Sequence, residues 1–316
     1  MKIIFFGSDD FAAVHLKQIL ACGHQVLCCV TSVDKPQGRG MKLGISPIKS
    51  MALEHNITCL QPASFKSKDI LQTLRAYDSD IFVVVAFGRL LTQEILDIPK
   101  IFCINVHASL LPKYRGAAPI NWAILNGDQE TGVTVQKMAL VLDAGDIIAQ
   151  QRLPIGDDDN AALLRERMAH AGAKLLVKVL EQCSSGQYAL TSQKSEQVTY
   201  APKLTRQMGK IDWTQPARFI FNQVRGLQPW PGGYTFYNGK MLKILQTSLT
   251  REDTAKCIPG QVLRVDKNGF VVATGDKGLG IKQVQPEAGR VMSAGDFTAG
   301  HKIVPGCQLG DGALFF

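Results

Sequence analysis

Apolar runs recur at regular intervals in the first half of the chain. Residues 2–6 (KIIFF) are apolar after Lys2, residues 81–86 (IFVVVA) are apolar throughout, and 25–30 and 58–61 are further short strand-like runs. Continuous apolar strands are typical of parallel sheets that helices cover on both faces. Helical patterns fall between the runs, the first after Asp9, which can cap it. The pattern predicts an α/β fold with a Rossmann-like, doubly wound, mostly parallel sheet.

The second half has a different pattern. A long helix is expected after Asn160, and residues 187–207 are polar and extended. Short alternating runs begin near residue 208 and are separated by Asn-Gly turns, which favours a small β-barrel. We therefore expect a first domain at 1–190, a linker at 191–207 and a second domain at 208–316.

Composition and charge narrow the functional class. The chain has 316 residues, 46% of them hydrophobic, and a net charge of +8. It lacks a secretory signal pattern and a membrane-length apolar run, so a cytoplasmic protein is expected. The eight cysteines form no C-x-x-C, which predicts reduced core thiols with neither disulfides nor zinc. Residues 208–316 hold 13 lysines and arginines against 8 acids, which indicates either a polyanionic partner or a solvated basic surface.

Residues 31–46 form an unusually long connection between a strand and the next helix. The segment contains three glycines and the basic residues Lys35, Arg39 and Lys42. It is either a mobile, solvated insertion or a basic finger whose side chains meet phosphates.

The stretch from Cys103 to Gly116 contains the main catalytic candidates. Asn105 and His107 share one face of a strand that ends there, as the period of two requires. An amide donor beside an imidazole suits a site where an oxyanion forms and a proton moves. The alternative is that Asn105 caps the strand and His107 is a hydrogen-bonded core residue. Asp143, in an L-D-x-G turn, either stabilises that turn or orients His107.

Two segments are expected to line a pocket at the same edge of the sheet. The first is Ser109-Leu110-Leu111-Pro112, which is mostly apolar and leaves the sheet at its proline. The second is the turn that contains Phe87 and Gly88, beyond the carboxyl end of another strand.

The combination of Asn105, the H-x-S-L-L-P segment from His107 and the L-D-x-G-D segment around Asp143 resembles the folate-dependent formyltransferase family. Residues 34–49, 200–213 and 225–235 resemble the branch of that family that formylates methionine on initiator tRNA. The resemblance covers essentially the whole chain. It implies that residues 208–316 are an OB-like, tRNA-binding β-barrel.

The resemblance also implies a reaction: transfer of the formyl group of 10-formyltetrahydrofolate to the α-amine of methionyl-initiator tRNA, by a monomer that needs no metal and no membrane. A formyltransferase for a sugar or nucleotide amine is the alternative, and a folate-independent RNA-binding module is a more distant one. The implied residues fall into three groups: catalytic Asn105, His107 and Asp143; folate-binding Phe87, Gly88, Ser109, Leu110, Leu111 and Pro112; and tRNA-binding Lys35, Arg39, Lys42, Lys203, Arg206 and Lys210.

Overall fold

The computed structural model describes residues 1–37 and 42–310. Strands and helices alternate in the first part of the chain. In order they are β1 (Lys2–Gly7), α1 (Asp10–Ala21), β2 (Gln25–Val30), β3 (Lys35–Gln37), β4 (Lys42–Gly44), α2 (Pro47–Glu54), β5 (Thr58–Leu60), α3 (Lys68–Ala76), β6 (Ile81–Val85), α4 (Gln93–Leu96), β7 (Phe102–His107), β8 (Arg115–Gly116), α5 (Pro119–Leu125), β9 (Glu130–Lys137), β10 (Ile147–Pro154) and α6 (Ala161–Ser184).

Short strands dominate the remainder, after a 3-10 turn at Ser195–Gln197. They are β11 (Tyr200–Ala201), a second 3-10 turn (Arg206–Gly209), α7 (Ala217–Gly226), β12 (Gly233–Tyr237), β13 (Lys240–Asp253), β14 (Val262–Asp266), β15 (Gly269–Ala273), β16 (Lys277–Pro286), β17 (Met292–Ser293) and α8 (Ala294–His301).

The described chain divides into two compact units that are interleaved along the sequence. The first unit comprises Met1–Pro119, Glu130–Pro154 and Arg165–Pro202. The second comprises Ile120–Gln129, Ile155–Leu164 and the chain from Lys203 onward.

The first unit is built on a seven-stranded sheet with the order β10-β9-β7-β6-β1-β2-β5. The strands from β7 to β5 in this order run parallel to one another. Strand β9 pairs antiparallel with both of its neighbours, β7 and β10. Residues 3–6 and 81–85 are fully or almost fully buried because helices cover both faces of the central strands. This confirms the predicted doubly wound, mostly parallel sheet.

Capping residues begin the helices as the sequence suggested. Asp9 accepts a hydrogen bond from the Ala12 backbone N–H at 3.0 Å, and Asn160 accepts one from Leu163 at 2.9 Å. These side chains replace partners that the first turn of a helix lacks. Strand β10 was not predicted, because its central residues are exposed and polar and leave no apolar run.

The second unit contains an antiparallel sheet with the order β12-β13-β16-β15-β14, and β17 pairs with β16. The predicted C-terminal β-domain is therefore confirmed, but a closed barrel is not. Among the described strands, β12 and β14 are the two ends of the hydrogen-bonded path and do not pair with each other. A closed barrel requires that pairing.

Two helices complete the second unit. Neither α7 nor α8 was predicted, and α7 packs Ile220 and Val224 into the apolar core. No helix within residues 1–37 and 42–310 combines the length and hydropathy needed to cross a membrane.

Candidate active site

Asn105 and His107 lie at the carboxyl end of β7, on the same face of the sheet. Asn105 is paired with Gln136 of β9 in the strand register, and His107 is paired with Thr134. His107 is 6% exposed, whereas Asn105 is only partly buried. The Asn105 side chain makes no hydrogen bond to any described residue. Its amide is therefore available to a ligand at this edge of the sheet.

Asp143 lies beside His107, although 36 positions separate them in the sequence. The His107 Nδ1 atom is 3.5 Å from the Asp143 Oδ1 atom, and both side chains are largely buried. Asp143 Oδ2 accepts a hydrogen bond from the Gly116 backbone N–H at 2.9 Å, and Oδ1 accepts one from Gln136 Nε2 at 3.3 Å. The structure thus brings the predicted pair together and fixes the carboxylate from both sides.

The second nitrogen of His107 is also occupied. Nε2 is 2.9 Å from the Tyr114 carbonyl oxygen, which can only accept a hydrogen bond. Nε2 therefore carries a proton in this contact, while Nδ1 faces a carboxylate that also only accepts. A doubly protonated imidazolium satisfies both contacts at once.

The connector after α6 reaches the same site through Gln193. The Gln193 Nε2 atom donates to the carbonyl oxygens of Asp143 at 2.8 Å and Gly145 at 2.7 Å. The Gln193 Oε1 atom accepts from Arg115 Nε at 3.1 Å and Nη2 at 2.8 Å. No local pattern in the sequence indicates these contacts, because Gln193 lies in the polar, extended segment 191–207, which is predicted to be a linker.

The expected pocket segment 109–112 is held by a buried hydrogen-bond network. Ser109 Oγ donates to the Lys113 carbonyl at 2.6 Å, and Thr134 Oγ1 donates to the Ser109 carbonyl at 2.7 Å. The Leu111 N–H donates to Thr134 Oγ1 at 3.1 Å, and the Leu111–Pro112 peptide bond is cis. Ser109 and Leu111 are buried, whereas Leu110 and Pro112 are partly exposed. Ser109 and Leu111 therefore shape the segment rather than present side chains at its surface.

Phe87 and Gly88 also differ in their exposure to solvent. The Phe87 ring is buried, with its centroid 5.5 Å from that of Phe6 and 5.6 Å from that of Phe65. Gly88 is exposed and has a φ angle of 71°, which glycine adopts readily. A ligand at this turn can therefore contact the exposed backbone of Gly88, whereas the Phe87 ring packs in the core.

Exposed apolar side chains occur close in sequence to both predicted segments. Leu90 follows the Phe87–Gly88 turn and is 71% exposed. Leu140, Val141 and Leu142 precede Asp143, and each is more than half exposed. Consecutive exposed aliphatic residues are unusual unless a ligand or partner covers them. The signal for this surface in the sequence is the apolar run Leu140–Leu142 directly before Asp143.

The basic candidates are distributed over both units. Lys203, Arg206 and Lys210 are exposed, and Lys203 and Arg206 form no ion pair with described residues. Lys35 and Lys42 lie in β3 and β4, which pair as a hairpin. Their side chains, and all of Arg39, lie outside the described residues.

The base of this hairpin is fixed to the first unit. Thr31 Oγ1 and Ser46 Oγ, at its two ends, are 2.8 Å apart. Lys49 Nζ donates to Asp34 Oδ2 at 2.5 Å and to Gln61 Oε1 at 2.8 Å. Gln61 Nε2 donates in turn to Asp34 Oδ1 at 2.7 Å. The insertion 31–46 is therefore anchored where it leaves the sheet.

The buried cysteines are structural rather than reactive in character. All eight are free thiols, and burial raises the pKa of Cys28 to about 12. Burial also raises the pKa values of Cys29 and Cys103. A thiol with a raised pKa is a poor nucleophile. The part of the chain that the structure describes contains no group of three or more His, Cys, Asp or Glu side chains that could hold a metal ion.

Comparison with known proteins shows the family of the chain. The Formyl transferase profile matches residues 1–180, and the Formyl transferase, C-terminal domain profile matches residues 203–302. The chain belongs to the formyl transferase family.

The full length of the chain is similar to curated methionyl-tRNA formyltransferases. It is 45% identical over 310 residues to that of Caldanaerobacter subterraneus subsp. tengcongensis, covering 98% of this chain and 100% of the relative. It is 44% identical over 310 residues to that of Moorella thermoacetica, with 98% and 99% covered.

Solved structures share the fold at lower identity. WlaRD, a sugar 3N-formyl transferase solved in the presence of dTDP and 5-N-formyl-THF, has a TM-score of 0.67 and 23% identity, covering 90% of this chain and 97% of its own. HypX from Aquifex aeolicus, solved with tetrahydrofolic acid, has a TM-score of 0.65 and 17% identity, covering 94% of this chain and 47% of its own.

Proposed function

We propose that this protein transfers the formyl group of 10-formyltetrahydrofolate to the α-amine of methionyl-initiator tRNA. The observation that carries the proposal is the His107–Asp143 pair at the end of β7, next to an Asn105 amide that bonds to no described residue. Two curated relatives that are 44–45% identical to the chain, and are covered over 99–100% of their own length, are methionyl-tRNA formyltransferases. We expect the protein to work in the cytoplasm, where its substrate is used for translation.

The reaction needs an electrophile, a neutral amine and two proton movements, one onto the folate N10 and one off the amine. The amine nitrogen attacks the formyl carbon, and the carbonyl oxygen becomes an oxyanion. The Asn105 amide donates a hydrogen bond to that oxygen, and the charge of His107 stabilises it further. The bond between the formyl carbon and the folate N10 then breaks, as N10 takes up a proton and the amine loses one.

His107 releases one of these protons and Asp143 receives the other; a proton passed afterwards from Asp143 to His107 restores both groups. His107 supplies a proton to N10, for which one of its two present contacts must be exchanged for the substrate. Asp143 keeps His107 oriented and accepts, directly or through water, the proton that leaves the amine. The Gly116 N–H and the Gln136 amide hold the carboxylate during this step.

The folate co-substrate is expected along the exposed backbone and apolar surface of the first unit. Gly88, Leu110 and Pro112 are accessible there, and Leu90 adds an exposed apolar side chain. Exposed Leu140–Leu142 offers further apolar surface next to Asp143. Phe87, Ser109 and Leu111 support these segments from within.

The tRNA is expected on the basic residues. Residues 1–190 supply the chemistry, residues 208–316 bind tRNA, and 191–207 connect the two. The hairpin that contains Lys35 and Lys42, with Arg39 between them, reaches the acceptor stem. Lys203, Arg206 and Lys210 contact phosphates, which position the tRNA without reading its sequence.

Formylation assays separate this function from its alternative. Purified protein is given 10-formyltetrahydrofolate with charged initiator tRNA, charged elongator tRNA or a dTDP-amino sugar, since sugar formyltransferases share the fold. We expect formylated product with initiator tRNA. Product only with the sugar would establish the alternative, and no product from any acceptor would refute formyl transfer.

Variants of the pair test the assignment of the site. His107→Ala and Asp143→Ala should abolish turnover while tRNA binding, measured by filter retention, is kept. Retained turnover in both would remove these residues from the chemistry.

A further inference from the structure

The turn that carries Asp143 adopts a strained backbone. Asp143 has a φ angle of 52°, in the left-handed region that non-glycine residues occupy at a cost. Two residues later, Gly145 lies so close to β9 that a Cβ atom would be 1.7 Å from the Lys137 carbonyl oxygen. A turn in this conformation depends on contacts from outside it.

Gln193 provides such contacts directly to the turn. Its Nε2 atom donates to the carbonyl oxygens on either side of Ala144, those of Asp143 and Gly145. These distances, 2.8 and 2.7 Å, are those of well-formed hydrogen bonds. The same nitrogen is 3.3 Å from Gln136 Oε1, and Gln136 is the residue whose amide holds the Asp143 carboxylate.

The orientation of the Gln193 amide is itself fixed by Arg115. The guanidinium donates from Nε and Nη2 to Gln193 Oε1, which leaves the NH₂ end facing the turn. Because arginine can only donate, it selects the amide orientation in which nitrogen meets the two carbonyls. The residue after Arg115, Gly116, donates its N–H to Asp143 Oδ2. The segment Arg115–Gly116 therefore contacts both the Asp143 carboxylate and the Gln193 side chain, which supports the turn of Asp143.

The connector pairs with other segments of the first unit on both sides of Gln193. Thr191 and Ile147 exchange backbone hydrogen bonds of 2.8 and 2.9 Å, and β11 pairs with β8. Gln193 is thus held in place by regular backbone pairing, which makes its side chain a rigid support.

We propose that Gln193 is a positioning residue of the transfer reaction, which holds the turn of Asp143 so that the carboxylate faces His107. The inference rests on the proposed function, because it acts through Asp143. A glutamine is required at this position since the contact uses an acceptor toward Arg115 and a donor toward two carbonyls. Glutamate would present an oxygen to those carbonyls, and leucine would offer neither group.

The test compares Gln193→Leu and Gln193→Glu with the unmodified protein. We expect kcat to fall about 10- to 100-fold in both, the size of effect that a small misplacement of a catalytic group produces. The KM values for 10-formyltetrahydrofolate and for charged initiator tRNA should stay within about twofold, because Gln193 is not assigned to binding either. Gln193→Glu keeps the Arg115 contact and serves as the test if the leucine variant does not fold.

The matched control is Gln197→Leu. Gln197 lies four positions further along the same connector, is exposed, and its side chain forms no hydrogen bond with described residues. It should keep the wild-type kcat. A loss of kcat in this control equal to that in Gln193→Leu would assign the effect to the connector in general and overturn the proposal.

A double-mutant cycle separates positioning from general support. In an Asp143→Asn background, Gln193→Leu should lower kcat less than about twofold, because the group that it positions is already inactive. Equal losses in both backgrounds, or a wild-type kcat in both Gln193 variants, would overturn the proposal. Wild-type kcat in Asp143→Asn alone would instead refute the catalytic assignment of Asp143.

Discussion

Acid should destabilise the first unit through one buried histidine, His15 of α1. Its side chain is 0% exposed, and Nδ1 donates to the Phe11 carbonyl at 2.7 Å. Nε2 has no hydrogen-bond partner among the described residues, and Gly172 of α6 packs so closely that a Cβ there would be 2.7 Å from it. A proton on Nε2 would therefore be buried without an acceptor.

The size of the effect follows from the pKa of His15. Burial, with a smaller contribution from the nearby His170, lowers this pKa from 6.5 to about 4. The unfolded chain binds the proton below pH 6.5, whereas the folded chain resists it until about pH 4. Stability therefore falls as the pH drops from 6.5 to 4. At about 1.4 kcal/mol per pKa unit, the loss amounts to about 3 kcal/mol.

Urea unfolding of the protein and of His15→Leu, followed by circular dichroism from pH 7.5 to 4, tests this expectation. All other groups titrate in both proteins, so the difference between their unfolding free energies isolates His15. That difference should move by about 3 kcal/mol in favour of the variant as the pH falls. The exposed His55→Leu is the control and should show a much smaller change. A difference that is constant with pH would refute the reasoning.

Three further predictions concern the site and the hairpin. Asn105→Ala should lower kcat about 100- to 1,000-fold without loss of stability, since its amide has no partner among the described residues; normal single-turnover rates would contradict this. Gly145→Ala should cost about 1–3 kcal/mol in urea unfolding, because its Cβ would overlap the Lys137 carbonyl; wild-type stability would rule out the close contact. Hydrogen bonds from Lys49 and Gln61 lower the pKa of Asp34, so Lys49→Met should raise it in a carbon-13 NMR titration; an unchanged value would exclude the ion pair.

The sequence determined the sheet because the information was local. Strands β1 and β6 lie between two layers of helices, so residues 3–6 of β1 and every residue of β6 are apolar, and these runs are visible without a structure. Strand β10 and helix α7 were not predicted, because they lack such a local pattern. The middle of β10 is exposed, and α7 combines buried polar residues such as Asn222 with its apolar ones.

The catalytic residues were also within reach of the sequence, because their types and spacing are unusual. Asn105 and His107 alternate on one strand, and Asp143 follows an apolar run that ends in a tight turn. Asp143 Oδ1 lies 3.5 Å from His107 Nδ1 only in the folded chain. The contact depends on the antiparallel pairing of β9 with β7, which the local sequence does not show.

Only the tertiary structure decided which neighbours of these residues point inward. Phe87, Ser109 and Leu111 are among the residues predicted to line a pocket, and the structure adds that all three are buried. The contact of Gln193 with Asp143 joins residues 50 positions apart. A glutamine in a polar segment carries no local signal of such a partner, and chain packing alone creates the contact.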